Sequence, residues 1–171
     1  GFFRDIDTTG IGIADFGSQT NDLTLLRNQD IMNRYSASQP SGVDAAFKAV
    51  RTRYMTEFST SLSEEVFQDL LRGQVTIKSH EGSRDLTAYR TEAVELILQS
   101  QLSILQSTWS ETDGLLQQIY FTGGSSIPTR ERLKNAGWSH ASFVDDPVLA
   151  NAVGYARLST HHTRAEFNAL Q

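Results

Sequence analysis

Residues 11–22 read Ile-Gly-Ile-Ala-Asp-Phe-Gly-Ser-Gln-Thr-Asn-Asp, so an apolar run passes through a glycine into a polar turn. The run at 11–16 predicts a short buried strand, and residues 23–26 resume the apolar pattern directly after the turn at 17–22. Two apolar runs around a glycine-containing turn are typical of a β-hairpin. Because residues 31–35 predict one more strand, we expect the chain to open as a three-strand meander.

Three helical segments are predicted in the middle of the chain, because apolar residues recur there at helical spacing. The first begins near Ser41. The second begins at the capping sequence around Ser63 and ends at Gly73, since glycine is common directly after a helix. A brief strand is predicted at 75–78, and the longest helix follows it, from residue 87 to about residue 109.

The last third of the sequence alternates between strand and helix patterns. Strands are predicted at 115–121 and 141–144, and helices are predicted to begin at residues 127 and 146, where a proline is tolerated in the first turn. The final helix is expected to run through Tyr155 or beyond. Strand–helix–strand–helix order implies parallel strand pairing with right-handed crossovers.

The order of these elements predicts an α/β domain with a ribonuclease-H-like fold. Its five-stranded mixed sheet would combine the three-strand meander with two parallel strands, and helices would flank the sheet. The segment at 59–87 falls between two helices, so it is expected to form a small insertion.

Composition narrows the class of protein. With 171 residues, 39% of them hydrophobic, the chain has enough apolar material for a core of ordinary domain size. A net charge of -5 argues against nonspecific nucleic-acid binding, which needs a basic face. The absence of cysteine excludes disulfides and thiolate metal sites. No apolar run approaches the ~20 residues of a membrane helix. We therefore expect a cytoplasmic protein without membrane contact.

The first candidate site is the hairpin turn that starts at Asp15. A tight turn that begins with a glycine lets backbone N–H groups converge on an anion, and Gly17 would allow phosphate oxygens to approach. The Thr20 hydroxyl could add a donor. Asp15 cannot itself bind phosphate, but it suits a Mg²⁺ ion held through water, and Asp22 could orient a water molecule. An ordinary hairpin with a polar turn is the alternative.

The second candidate site is the sequence Thr122-Gly123-Gly124-Ser125, where a predicted strand ends just before a helix. Ligands in α/β sheets bind at the carboxyl ends of strands, and a helix N-terminus favours a nearby anion. Paired glycines would leave room for a flat base or a ribose. A plain strand-to-helix turn is the alternative. If the fold is right, the loops that begin at Asp15 and Thr122 meet in space around one metal-bound polyphosphate.

Together the two motifs resemble those of the superfamily of actin, DnaK-type chaperones and sugar kinases. Residues 15–22 look like its second phosphate-binding hairpin, and residues 122–128 look like its adenosine motif. Residues 145–155 resemble its second connecting helix. Residues 36–43 resemble a strand-to-helix transition that would place Gly42 near the nucleotide.

Within the superfamily, the sequence at 17–22 is nearest to plasmid-segregation proteins of the ParM type and to archaeal actin-like proteins. Ser18 and Gln19 stand where many relatives have glycine, which puts the rate of hydrolysis in doubt more than binding. Gln68 and Arg72 lie on the insertion helix that, by resemblance, faces the adenine. We expect both of them at the surface.

The resemblance implies ATP or ADP with Mg²⁺ as ligands, and it implies domain II alone. The core subdomain would comprise residues 1–58 and 88–171, with residues 59–87 as the small insertion. Asp15 would contact the metal through water and Asp22 would orient a water molecule. The remaining implied contacts are Gly17, Ser18, Gln19 and Thr20 around the phosphates, and Gly42, Thr122, Gly123, Gly124 and Ser125 against the adenosine.

The same resemblance implies the ATP-binding half of a filament-forming ATPase that serves plasmid or phage DNA segregation. Its implied partners are the N-terminal domain of the same protein, further copies in a filament and a DNA-bound adaptor protein. Because the other half would supply its own phosphate hairpin, we expect this chain alone to hydrolyse ATP negligibly. A sugar or small-molecule kinase, a chaperone-like nucleotide sensor and a module that has lost nucleotide binding are the alternatives.

Overall fold

The structure, a computed structural model, describes residues 10–28, 30–79, 82–112, 115–138 and 141–154. Its strands are β1 (Gly10–Phe16), β2 (Thr20–Arg27), β3 (Asp30–Ile31), β4 (Ala37–Pro40), β5 (Thr76–Ser79), β6 (Gly82–Asp85), β7 (Leu116–Thr122) and β8 (Ser142–Phe143). Its helices are α1 (Gly42–Phe58), α2 (Glu64–Leu71), α3 (Thr87–Trp109) and α4 (Ser126–Asn135). Residues 150–154 are also helical.

A mixed sheet organises these elements. Strand β1 pairs antiparallel with β2 and parallel with β7, and β8 extends the sheet parallel to β7. The hydrogen-bonded order is β3-β2-β1-β7-β8, with β4 also paired to β2. The α/β class, the opening hairpin and the two added parallel strands are therefore confirmed.

The predicted position of the third meander strand, residues 31–35, is wrong. Only Asp30–Ile31 pairs there, and residues Asn33–Tyr35 form a 3₁₀ turn. The Trp109 indole Nε1 donates to the Tyr35 carbonyl at 2.9 Å, so this stretch is held by α3 instead of by a ladder. Strand β4 then pairs with the first half of β2. Among the described residues, the sheet therefore has six strands instead of five.

Two other boundaries differ from the predictions by more than one residue. Strand β2 already begins at Thr20, so the hairpin turn is shorter than the predicted 17–22. Near the end of the chain, helical structure begins at residue 150 instead of 146. The Pro147 carbonyl accepts from the Gly123 N–H at 2.9 Å, and a backbone bond of helical spacing runs from the Val153 N–H to the Leu149 carbonyl at 2.9 Å. The predicted extension of this helix through Tyr155 lies outside the described residues.

The predicted helices α1, α2 and α3 are present, and α3 covers the predicted 87–109. Each of the first two has a serine N-cap. The Ser41 hydroxyl accepts from the Val43 N–H and the Ser63 hydroxyl accepts from the Val66 N–H, which satisfies donors that a helix leaves free at its start. None of the described helices is long and apolar enough to cross a membrane.

Two apolar clusters hold the structure together, and α3 contributes to both. The sheet core lies between the sheet, the second half of α3 and α4; its fully buried members include Phe16, Leu23, Ile104, Phe121 and Leu133. The helical core lies between α1, α2 and the first half of α3; its members include Val50, Tyr54, Phe67, Leu70 and Ile97. The two cores fix α1 and α2 relative to the carboxyl edge of the sheet.

The segment predicted as an insertion contains α2 and the hairpin β5–β6, which forms a separate two-stranded sheet. Strand β6 was not predicted, because Gly82–Asp85 carries no apolar alternation. The Leu86 N–H donates to the Val75 carbonyl at 2.6 Å, which leads the chain from the hairpin into α3.

Candidate functional site

The two candidate loops lie side by side at one edge of the sheet. Strands β1 and β7 are parallel neighbours, and Asp15 stands in register with Thr122. The loops touch: the Ser125 N–H donates to the Phe16 carbonyl at 3.0 Å, and the Ser125 hydroxyl donates to the same oxygen at 2.7 Å. The structure therefore brings together the two loops that sequence reasoning selected, at the carboxyl edge where α/β sheets bind ligands.

Gly123 is required by this close approach. Its φ of 81° lies in the left-handed region that side chains disfavour. A Cβ atom there would lie 2.3 Å from the Phe16 carbonyl oxygen and 2.5 Å from Asp15 Oδ1. The Gly123 N–H donates to the Pro147 carbonyl at 2.9 Å, so its backbone also anchors the loop before residues 150–154.

Gly124 differs from its neighbour, because the fold does not require a glycine there. The residue is exposed, its φ lies outside the left-handed region, and a Cβ would meet only Val148 Cγ2 at 3.7 Å. Its missing side chain leaves open space above the turn. Of the two glycines, Gly123 serves the fold and Gly124 keeps the adjacent surface accessible.

That open space is part of a cleft of about 420 Å³, a volume within the usual range for small-molecule sites. Five parts of the chain supply its walls: the β1–β2 hairpin, the turn after β7, the start of α1, the second half of α2 and the segment at 147–151. The predicted site residues among the lining are Asp15, Gly17, Ser18, Gly123, Gly124 and Ser125.

Other predicted phosphate and water contacts lie beside the cleft. Thr20 begins β2 and donates through Oγ1 to Asp22 Oδ2 at 2.6 Å. Asp22 is the cross-strand partner of Asp15, so both carboxylates lie on one face of the sheet. Gln19 is exposed at the hairpin tip, where its carbonyl accepts from the Ser41 N–H at 2.7 Å.

Two of the predicted adenosine contacts are used for packing. Gly42 is buried at the start of α1, where a Cβ would lie 2.8 Å from Ser100 Cβ and 3.0 Å from the Leu96 carbonyl oxygen of α3. A glycine there allows α1 and α3 to pack closely. Thr122 is buried, and its hydroxyl donates to the Pro147 carbonyl at 3.2 Å. Neither residue lines the cleft.

Ser125 lines the cleft, but its side chain is already engaged. Besides donating to Phe16, its hydroxyl accepts from the Gln101 side-chain Nε2 at 3.3 Å, and the same Nε2 donates to the Ser125 carbonyl at 3.0 Å. Gln101 is fully buried on α3. Sequence reasoning missed this glutamine, although a glutamine on the apolar stripe of a helix is a signal that could have marked it.

The lining also contains residues that the sequence did not select as site residues. Gln68 of α2 and Arg72, which directly follows this helix, both line the cleft. Arg72 is exposed, as expected, and pairs with Asp69 at 3.0 Å, whereas Gln68 is half-buried. Asn151 donates through Nδ2 to Asp15 Oδ2 at 2.6 Å. The lining also has an exposed apolar side, formed by Ile127 and by Val148, which is 64% exposed.

The carboxylates suit an ion held mainly by other oxygens. Within the described ranges, no three histidine, cysteine or acidic side chains lie close enough to enclose a metal. Asp15 is the carboxylate that lines the cleft. Mg²⁺ is usually bound by one or two carboxylates together with waters and phosphate oxygens, so this donor set fits Mg²⁺ that arrives with a polyphosphate. It does not fit a closed protein cage for a bare ion.

Comparison with known proteins gives matches at the level of structure. No protein-family model and no curated protein matches the sequence. An archaeal actin homologue, Ta0583, matches with a TM-score of 0.79 at 16% identity, over 91% of this chain and 50% of that chain. Its complex with ADP matches with a TM-score of 0.77 at 16% identity, over 91% and 52% of the two chains.

A 15-stranded ParM filament from Clostridium botulinum also matches, with a TM-score of 0.75 at 21% identity. That alignment covers 91% of this chain and 47% of the ParM chain. At such identities the matches establish the fold alone. The chain spans about half the length of the solved structures that it matches.

Proposed function

We propose that this chain, which has the fold of the actin-like ATPases, forms one side of a nucleotide-binding cleft that takes ATP or ADP with Mg²⁺. The observation that carries the proposal is the meeting of the two loops at the carboxyl edge of the sheet, with Gly124 leaving the space between them open. The ADP complex of the archaeal actin homologue, whose fold this chain shares, supports it.

Different residues of the chain would contact different parts of the nucleotide. The Ser18 backbone would face the phosphates, and Gly17, whose N–H donates to the Thr20 carbonyl at 2.8 Å, would leave room for their approach, with Gln19 and Thr20 completing the hairpin. The adenosine would lie over the turn at Gly123, Gly124 and Ser125. Helix α2 would close that side through Gln68 and Arg72, which makes them additional candidate contacts. Thr122 and Gly42 would act indirectly, by holding the turn and α1 in place.

The Mg²⁺ ion would be held at Asp15 through water, and Asp22 would orient a neighbouring water molecule. When bound, the ion would offset the negative charge of the phosphates. The Asp22 carboxylate does not line the cleft, and it accepts a hydrogen bond from Thr20 in the hairpin. Asp15, in contrast, lines the cleft directly.

The proposed division of the chain follows from the same cleft. Residues 1–58 and 88–171 would form the core subdomain that carries both loops, and residues 59–87 would form the insertion. The insertion supplies α2 to one wall of the cleft and packs it through Phe67 and Leu70 on the helical core. A ligand would therefore contact both subdomains, which is how an inserted lobe can respond to nucleotide.

For the whole protein we propose a filament-forming ATPase, supported by the ParM filament that shares this fold. Its partners would be a second domain from the same protein, further copies in the filament and a DNA-bound adaptor, in a cytoplasmic protein that segregates plasmid or phage DNA. Hydrolysis would need the second domain. The isolated chain is therefore expected to bind nucleotide without appreciable turnover.

Calorimetric titration of the chain with ADP and Mg²⁺ tests the proposed ligand. We expect saturable binding to the wild type, and at least about tenfold weaker binding to Gly124→Leu, which fills the cleft. The matched control is Ser107→Leu, on the exposed face of α3, which should bind like the wild type. Equal binding by Gly124→Leu and the wild type would exclude this cleft as the nucleotide site.

Sedimentation of the full-length protein separates the filament from the alternatives. A filament-forming ATPase should pellet with ATP and Mg²⁺ and stay in the supernatant without nucleotide. A sugar kinase or a nucleotide sensor of the same fold should remain in the supernatant under both conditions, which would contradict the filament proposal while leaving the nucleotide proposal intact.

A further inference from the structure

We propose that Asn151 is a positioning residue for Asp15: its amide fixes the carboxylate in the orientation that receives a Mg²⁺-bound nucleotide. This inference rests on the proposed function. It begins from one contact, since Asn151 Nδ2 donates to Asp15 Oδ2 at 2.6 Å across 136 residues of sequence. Both side chains line the cleft, so the contact lies at the site itself.

The contact leaves Asp15 able to do more. A carboxylate accepts at about four lone-pair positions, so one donated hydrogen bond leaves acceptors for a water of hydration. Asp15 Oδ1 lies 2.5 Å from where a Cβ of Gly123 would stand, so the carboxylate is bounded by the turn on that side and by Asn151 on the other. These two neighbours restrict the rotation of the side chain.

The position of Asn151 is fixed by hydrogen bonds between the loop before it and the turn after β7. The Pro147 carbonyl accepts from the Gly123 N–H at 2.9 Å and from the Thr122 hydroxyl at 3.2 Å, which anchors the loop to the end of β7. Four residues later the chain is helical and presents Asn151 to Asp15. Thr122 is also the register partner of Asp15 in the sheet. The residue that anchors the loop before Asn151 therefore lies directly beside the carboxylate that Asn151 contacts.

The chemistry of the donor suits a cation site. Asp15 already faces Asp22 as its cross-strand partner. A neutral amide orients the carboxylate without cancelling its charge, whereas a lysine would compete with Mg²⁺ and a third carboxylate would add repulsion. Residues that hydrogen-bond the direct ligands of a metal typically change its affinity about 10- to 100-fold when they are replaced, and because Asp15 would act through water we expect the lower end of that range, about tenfold.

The test measures ADP affinity twice, in Mg²⁺ and in EDTA, for the wild type, Asn151→Ala and Asn135→Ala. Asn135 is an exposed asparagine at the end of α4, away from the cleft, and serves as the matched control. We expect Asn151→Ala to weaken ADP binding about tenfold in Mg²⁺ and to leave the affinity in EDTA unchanged. Asn151→Gln, which keeps an amide donor, should recover part of the loss.

A double-mutant cycle completes the test. Asp15→Ala should abolish the enhancement by Mg²⁺, and Asp15→Ala/Asn151→Ala should bind no more weakly than Asp15→Ala. A loss for Asn151→Ala that is the same in Mg²⁺ and EDTA, or that persists without Asp15, would overturn the positioning role while the nucleotide site stands. A wild-type chain that binds no ADP in either buffer would overturn both proposals together.

Discussion

The two loops that enclose the cleft differ in how many of their side-chain hydrogen-bonding groups are paired within the protein. In the turn after β7, the buried hydroxyls of Ser125, Ser126 and Thr129 all donate within the structure, and Gly123 fits where no side chain could. At the tip of the β1–β2 hairpin, by contrast, residues 18–20 are exposed. The Ser18 and Gln19 carbonyls accept from Ser41, and Thr20 donates to Asp22, but the Ser18 and Gln19 residues remain exposed.

This difference indicates that only one side of the cleft is preorganised. The turn is anchored to Phe16 and Pro147 without any ligand. The hairpin tip keeps free surface that a polyphosphate could occupy, and any ordering on binding would take place there. Preorganisation on one side lowers the entropic cost of binding, because fewer groups must be immobilised.

The largest expected effect comes from placing a side chain in the preorganised turn. Gly123→Ala should lower the free energy of unfolding by roughly 3 kcal/mol, because it combines a left-handed φ with a clash against the Phe16 backbone. Urea denaturation measures the change. Gly124→Ala is the matched control, since its Cβ meets only Val148 at 3.7 Å, and its stability should stay within about 0.5 kcal/mol of the wild type.

If the two alanine variants lose the same stability, the contrast drawn between the two glycines is wrong. The pair also separates fold from ligand. Gly124→Ala adds volume to the open cleft, so its ADP affinity should fall while its urea midpoint does not.

An intermediate effect is expected from the buried support of the same turn. Gln101→Ala removes the side-chain amide that donates to the Ser125 carbonyl and leaves a cavity in α3, so it should cost about 1–3 kcal/mol of unfolding free energy. Gln99→Ala, an exposed glutamine on the same helix, should change stability by less than about 0.5 kcal/mol. Equal midpoints for the two variants in thermal unfolding would show that Gln101 does not support the turn.

The smallest of these effects concerns the hairpin side. Ser41→Ala removes both the N-cap of α1 and the hydrogen bond to the Ser18 carbonyl, and it should cost about 1 kcal/mol. Ser63→Ala removes the cap of α2 alone and should cost a similar amount. Amide hydrogen exchange distinguishes them: only Ser41→Ala should speed exchange at the hairpin. Faster exchange there in both variants would mean that the hairpin is not held through Ser41.

Much of the fold could be predicted because its apolar pattern is local. The run at 11–16, the stripe of α3 and the parallel strands near the end each bury residues at a regular spacing. Strand β4 could not be found in this way, since Ala37–Pro40 has no apolar alternation and exists only because β2 offers an edge. Its pairing is a property of the sheet, which the local sequence does not contain.

The site shows the same limit. Asp15 and the turn at Gly123 stand out because strand ends and glycines leave a local signal. Gly42 appeared to belong to the ligand, but the requirement for glycine comes from α3, over fifty residues away in the sequence. Asn151 lies in the segment that resembles the second connecting helix, but the local sequence does not mark it as a site residue, because its contact is with a partner near the other end of the chain.

The hydrogen bond from Ser125 to Phe16 spans 109 residues of sequence. Contacts between such distant parts of a chain must overcome a large loop-closure entropy, so they form late during folding. The two loops meet where β7 pairs with β1, so the cleft is absent from any state of the chain that lacks this pairing. A nucleotide that binds this cleft would stabilise only states in which β1 and β7 are paired, and it would shift the folding equilibrium towards them.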